Sequence, residues 1–160
     1  MEIDIQIRNL TRRQVNGARI KKAIAAAVNG EKKRFAGEGA EISVVLVGKK
    51  RMAAINQKYR GVASATDVLS FAHCEGEELA PGRILGELVI CPEIVAQDAK
   101  TAGRGFDYQT AWVAIHGALH LLGYDHERGV EQEREMRQKE KYYLSKLKTE
   151  NEKGKTKIKN

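Results

Sequence analysis

His116-Gly117-Ala118-Leu119-His120-Leu121-Leu122-Gly123-Tyr124-Asp125-His126 contains three of the four histidines in a chain of 160 residues. If the stretch begins as a helix, His116 and His120 leave the same face one turn from each other, and both imidazoles reach a single ion. Gly123 then supplies a stop, because glycine readily enters the left-handed conformation that ends a helix. Past that bend His126 can fold back as a third ligand. Three neutral imidazoles with one open position, which would hold a water, make a catalytic zinc site; a structural site is normally closed by a fourth protein ligand, often cysteine. A single histidine on an apolar helix is more often a hydrogen-bonded core residue. Three at this spacing, in a chain with only His73 besides, point to a metal.

Outward from this stretch, the helix bearing the first two histidines is expected over about Asp107 to Leu122, with Trp112, Ile115, Leu119 and Leu122 toward the core. His116 and His120 lie at its other margin. Val130 to Leu147, rich in Glu, Arg and Lys, makes a last helix with Met136, Tyr143 and Leu147 as its inner face. Upstream, Pro92 suits the first turn of a helix to Thr101, before a break at Gly103 and Gly105. Ile84 to Ile90, Thr66 to Phe71 and Ile42 to Val47 are strand-like runs, and Met1 to Arg8 alternates Ile3, Ile5 and Ile7 with polar residues, as a half-buried strand does. Thr11 is expected to cap a helix to about Val28 with the stripe Val15, Ile20, Ile24, Ala27 and Val28. Lys50 to Tyr59 is a further helix, and Glu31 to Gly39 and Glu75 to Gly82 are loops. Four strands interspersed with helices make a single α/β or α+β domain.

The net charge of +7 is unevenly spread: Lys146 to Asn160 holds six lysines and two glutamates, so +4 sits in that segment. With few apolar residues it is expected to fray, dividing the chain into a domain, 1–147, and a basic tail, 148–160, that serves solubility or meets phosphates. Two cysteines, Cys74 and Cys91, and an opening without a basic-then-apolar leader predict free thiols in a reducing cytoplasm. Apolar runs such as Ala23 to Val28 fall far short of the roughly 20 residues a bilayer demands, so no membrane partner is expected. The sequence has no Walker-type phosphate loop, nucleophile elbow or array of paired cysteines to rival the histidines. His73, beside Cys74, is expected to be a loop residue without chemistry.

The pattern His-x-x-x-His-x-x-Gly-x-x-His looks like the zinc motif of the metzincin proteases, with one departure. Those enzymes place a glutamate after the first histidine as general base, and here the position is Gly117, which cannot move a proton. His116-Gly117-x-Leu119-His120-Leu121-x-Gly123-Tyr124-Asp125-His126 more closely resembles the signature of the YbeY family of metal-dependent endoribonucleases. Asn56-Gln57-Lys58-Tyr59-Arg60-Gly61 with Thr66-Asp67-Val68-Leu69-Ser70-Phe71 is similar to that family's second block, and Leu85-Gly86-Glu87-Leu88-Val89-Ile90 to its third, where Asp is commoner than Glu87.

The resemblance implies an α+β domain with a mixed four-stranded sheet packed on helices, one Zn2+ on His116, His120 and His126, and RNA rather than DNA as substrate. It further implies 3′-end maturation of small-subunit (16S) rRNA and ribosome quality control, in company with the small subunit and its assembly factors. Arg60 carries over as the basic residue of the cleft, suited to stabilise transition-state charge through its planar donor fork. Glu87 and Asp125 are the candidates for moving protons, and Asp125 alternatively holds a ligand imidazole. Attack by water or by the RNA 2′-hydroxyl both fit, and imidazoles also suit nickel, copper and iron. A metzincin-like protease and a non-catalytic, zinc-stabilised ribosome-assembly factor are the competing functions.

Overall fold

The alternating isoleucines form strand β1 (Glu2–Asn9), with Ile5 buried and Ile3 and Ile7 packed partly against the core. The helix expected to start at Thr11 does not start there. The Asn9 side chain accepts the Thr11 N–H at 2.9 Å and its hydroxyl at 2.7 Å, and donates to the Arg13 carbonyl at 2.9 Å. Such local bonds offer the backbone an alternative to helix. Helix α1 (Gly17–Gly30) begins instead at Asn16, whose side chain accepts the Arg19 N–H at 3.1 Å. Its stripe of Ile20, Ile24, Ala27 and Val28 is fully buried.

This computed structural model describes residues 2–34, 39–73 and 84–159, with side chains described for 2–33, 39–73 and 86–147. A 3-10 turn (Lys32–Arg34) follows α1, and strand β2 (Gly39–Leu46) opens at a glycine assigned from sequence to a loop. Then come helix α2 (Lys49–Arg60), strands β3 (Val68–Ala72) and β4 (Ile84–Ile90), and helices α3 (Pro92–Ala102) and α4 (Phe106–Leu121). A second 3-10 turn (His126–Arg128) leads into helix α5 (Val130–Lys159). The acidic loop between β3 and β4, Cys74 included, lies outside the described residues. So do the side chains past 147, where a fraying tail was expected and the backbone of α5 is helical.

The strands run in the order β1-β2-β4-β3, the first three mutually parallel and β3 antiparallel to β4. That mixed sheet, with both kinds of pairing, makes the chain α+β. Ile42, Val44, Leu46, Leu88 and Ile90 face a core shared with α1, α4 and α5. Val47, Met52, Leu69, Val89 and Cys91 form a smaller cluster on the opposite face, involving α2. Cys91 is a free thiol buried there. Among the described residues no helix is long and apolar enough to cross a membrane.

α4 is apolar almost all round and buried accordingly. It lies so close to the sheet that a Cβ on Gly117 would stand 3.0 Å from Leu88 Cδ2 and 3.2 Å from Val68 Cγ2. Ile115, Leu119 and Leu122 are buried as expected, and Trp112 packs against the same core. One turn before His116, it shares the histidine face and is only half-buried. Met136, Tyr143 and Leu147 form the inner face of α5.

Beneath the turn that follows α4 sits a buried polar cluster. Glu31 Oε1 lies 2.6 Å from Lys139 Nζ and accepts the Tyr124 hydroxyl at 3.2 Å. Tyr143 packs beside them over Gly30, where any Cβ would overlap its ring. Burial pushes the Tyr143 hydroxyl up from 10.0 to about 12, and the Glu31 carboxylate acts in the same direction. The hydrogen bond to Glu31 likewise raises Lys139 above the ordinary lysine value. Both groups keep their protons to higher pH in the folded chain than in the unfolded one. Their contribution to stability is therefore complete below about pH 10 and is lost as pH rises through the folded values. The urea midpoint is expected to fall between about pH 10 and pH 12, and to fall less steeply in Tyr143→Phe, which lacks the titrating hydroxyl. Parallel declines would remove Tyr143 from this linkage.

Candidate metal centre

α4 ends as its sequence dictates. Gly123 takes φ 93°, its N–H donates to the His120 carbonyl at 3.0 Å, and the Tyr124 N–H donates to the Leu119 carbonyl at 3.1 Å. These two bonds are those of a Schellman turn. Tyr124 is then anchored by its hydroxyl to Glu31, and Asp125 adopts an extended conformation and accepts the Glu127 N–H at 2.9 Å. That cap starts the 3-10 turn whose first residue is His126. The third histidine is thus returned to the first two by a glycine bend, a buried tyrosine and an aspartate cap.

The rings converge. Centroids of His116 and His120 are 4.7 Å apart, His116 and His126 5.2 Å, and His120 and His126 5.1 Å. One nitrogen from each can be chosen so that all lie within 4.8 Å of one another, a set that could hold a metal ion. His116 Nε2 and His120 Nε2 face each other at 3.2 Å. Two nitrogens bound at about 2.0–2.1 Å across a tetrahedral angle would be roughly 3.3–3.4 Å apart, so the pair fits one ion. His126 Nδ1 is buried without a hydrogen-bond partner among the described residues. Burial, then the neighbouring His116 and His126, hold His120 below the usual histidine value, favouring the neutral imidazole that a metal requires.

One carboxylate supports this arrangement and was not singled out in the sequence. Glu140, on α5, has a side chain only 6% exposed, with Oε1 2.6 Å from His116 Nδ1. Its Oε2 accepts the Trp112 indole N–H at 3.0 Å. With Nδ1–H donating to a carboxylate, His116 presents Nε2 as a lone pair toward His120, and the carboxylate raises the ring's basicity as a ligand. A signal was present: Met136, Glu140, Tyr143 and Leu147 share one stripe of α5. A charged residue within an apolar stripe requires a buried partner.

The remaining expected site residues separate into two groups. Arg60, in the last turn of α2, places Nη2 4.0 Å from Glu127 Oε1, beside the His126 turn. Asp125 lies next to His126 in sequence, and the Glu127 N–H, with help from Arg128, holds its carboxyl below the usual range. Glu87 is elsewhere. Along β4, Leu88 and Ile90 face the α4 core while Val89 faces the α2 cluster. Glu87 therefore projects from the face opposite α4, beside its cross-strand neighbours Phe71 and Ser43. The expectation that it moves protons at the histidines conflicts with this placement. His73 is exposed just after β3, and Cys74 is outside the described residues. The general base of a metzincin has no counterpart, because position 117 faces Leu88 and Val68 and has no room for a glutamate.

Removing the supporting carboxylate should weaken the metal site before it affects the fold. Glu140→Gln and Glu140→Ala are expected to lower zinc affinity by about 10- to 100-fold in chelator competition. Glu140→Gln should retain the wild-type circular dichroism spectrum. Unchanged zinc affinity in both variants would show that Glu140 does no more than pack.

The comparisons with known proteins agree with this geometry. The family model described as Endoribonuclease YbeY matches residues 5–148. The chain is 46% identical over 114 residues to the Endoribonuclease YbeY of Pelotomaculum thermopropionicum, covering 69% of this chain and 74% of the relative. It is 39% identical over 107 residues to that of Aquifex aeolicus, covering 67% and 70%. The solution structure of TM1509 from Thermotoga maritima superposes with a TM-score of 0.60 at 29% identity, covering 94% of this chain and 93% of that one. With a family model spanning nearly its whole length, relatives of this identity and three convergent histidines where the motif lies, the chain belongs to the YbeY endoribonuclease family.

Proposed function

We propose that this protein is a zinc-dependent endoribonuclease that cleaves RNA phosphodiester bonds, acting in the cytoplasm on the 3′ end of 16S rRNA during small-subunit maturation and quality control. The carrying observation is the convergence of His116, His120 and His126 in a chain whose relatives are named endoribonucleases. On this reading the three imidazoles hold the ion, and the ribosomal small subunit with its assembly factors delivers the RNA.

A divalent cation bound there supplies Lewis acidity toward a phosphoryl oxygen and lowers the pKa of a coordinated water. The chain supplies the rest. Glu140 fixes the tautomer and orientation of His116 through Nδ1. Arg60, half-exposed at the end of α2 and beside the His126 turn, has its guanidinium free to turn toward an RNA phosphate, because the 4.0 Å contact with Glu127 is loose. Asp125, next to His126 in sequence, is the carboxylate proposed to take a proton from the attacking oxygen, and its bond from the Glu127 N–H keeps it ionised. Gly117 removes the base on which peptide hydrolysis would depend, which disfavours the protease.

Wild type, His120→Ala and Arg60→Ala, purified identically, are to be compared on structured RNA with metal content measured on each. His120→Ala is expected to lose both zinc and cleavage. Arg60→Ala should keep zinc and lose roughly 10²- to 10³-fold in rate, the usual cost of one charge-stabilising donor. A wild type that retains zinc and binds ribosomes but never cleaves RNA would establish the assembly-factor reading instead. Cyclic phosphate ends would identify the 2′-hydroxyl as nucleophile.

A further inference from the structure

Between Gly123 and Val130 the chain runs outside the core, and Tyr124 is the one buried residue of that stretch. The 3-10 turn that carries His126 buries none of its residues. Asp125 shapes this turn by accepting the Glu127 N–H, but that bond is internal to the segment and does not attach it to the rest of the domain. The contact of Arg60 with Glu127 does reach another element, and at 4.0 Å between exposed side chains it holds little. The place of the third histidine therefore depends on what holds Tyr124, two residues before it.

The Tyr124 backbone N–H closes the turn on Leu119, while its hydroxyl reaches beyond α4 and donates to Glu31 Oε1 at 3.2 Å. Lys139 Nζ stands 2.6 Å from the same oxygen and 5.2 Å from the Tyr124 ring centroid, so the tyrosine is gripped from α1 and α5 at once. Neither partner is where stability alone would put it. Glu31 caps the C-terminal end of α1, the end at which the helix dipole disfavours a negative charge. A buried ion pair is also seldom more stabilising than apolar residues of the same volume. Groups that run against such preferences are expected where they fix a position. On α5, Lys139 adjoins Glu140, and these consecutive residues lead to different ligands. Glu140 meets His116 directly, whereas Lys139 leads through Glu31 and Tyr124 to the segment bearing His126.

We infer that Glu31 and Lys139 are positioning residues of the metal centre: by holding the Tyr124 hydroxyl they keep His126 where one ion can meet all three imidazoles. The inference rests on the metal-binding part of the proposed function and extends it to residues remote from the ion in both α1 and α5.

The test measures zinc affinity of the full-length protein by competition with chelating dyes, with circular dichroism to follow the fold. Tyr124→Phe keeps the ring and the ion pair and removes only the hydroxyl; it is expected to weaken zinc binding by roughly 3- to 10-fold, the worth of one hydrogen bond. Glu31→Ala and Lys139→Met should weaken it by about 10- to 100-fold, the usual effect of losing a residue that orients a ligand. Glu31→Gln, whose amide oxygen still accepts the Tyr124 hydroxyl, should lie closer to wild type than Glu31→Ala. The decisive step repeats the measurements in a His126→Ala background. There Tyr124→Phe should change zinc affinity by less than about twofold, while Glu140→Gln, which acts through His116, should cost as much as it does in the wild type. Equal losses from Tyr124→Phe in both backgrounds would show general loosening of the domain and overturn the proposal, as would a loss below about twofold with His126 present. Tyr124→Phe carries this comparison even where Glu31→Ala fails to fold. A wild type without affinity for zinc overturns the metal reading together with the positioning role, whereas zinc binding that ignores Tyr124→Phe overturns the positioning role alone.

Discussion

The contact between Glu140 and His116 is the one on which the centre depends. A carboxylate this deeply buried is costly unless its oxygens are satisfied. Here both are used, one by the His116 ring and the other by the Trp112 indole. Because the three groups come from two helices, the interaction docks α5 onto α4 and in the same act orients a ligand. Met136 and Tyr143, on the same stripe of α5, add the apolar burial that a polar contact alone does not supply.

The closeness of α4 to the sheet imposes a second constraint. Gly117 is the small residue that lets the helix approach Leu88 and Val68, and this contact fixes the rotation of the helix about its axis. With that rotation set, positions 112, 116 and 120 fall on the margin facing α5 and the His126 turn. Helix packing therefore aims the histidines, and the same packing denies the chain a proton-transfer group immediately after the first of them. Asp125, outside the helix, is the carboxylate next in sequence to the third histidine.

Much of this was legible in the sequence, for identifiable reasons. The histidine spacing, the Gly123 stop and the isoleucine alternation of β1 are local signals, and local geometry alone suffices to express them. The start of α1 was not legible, because Asn9 captures Thr11 and Arg13 in side-chain bonds that compete with helix without leaving a periodicity. The facing of Glu87 was hidden for a different reason. β4 is covered on both sides, so its run of apolar residues shows no contrast from which a face could be read. Trp112 packs against the core as its hydrophobicity implies, and its spacing from His116 also brings its indole N–H to Glu140. Glu140 escaped because a helix rich in charge conceals the one charge that is buried among its described residues.

The Glu31 cluster joins residues far apart in the chain: Tyr124 reaches back 93 positions to Glu31, and Lys139 closes the same group. During translation, a polypeptide whose last helix is still inside the exit tunnel has neither the lysine that clamps this group nor the glutamate that orients His116. The sequence order thus acts as a timer, postponing assembly of the histidine centre until α5 has emerged.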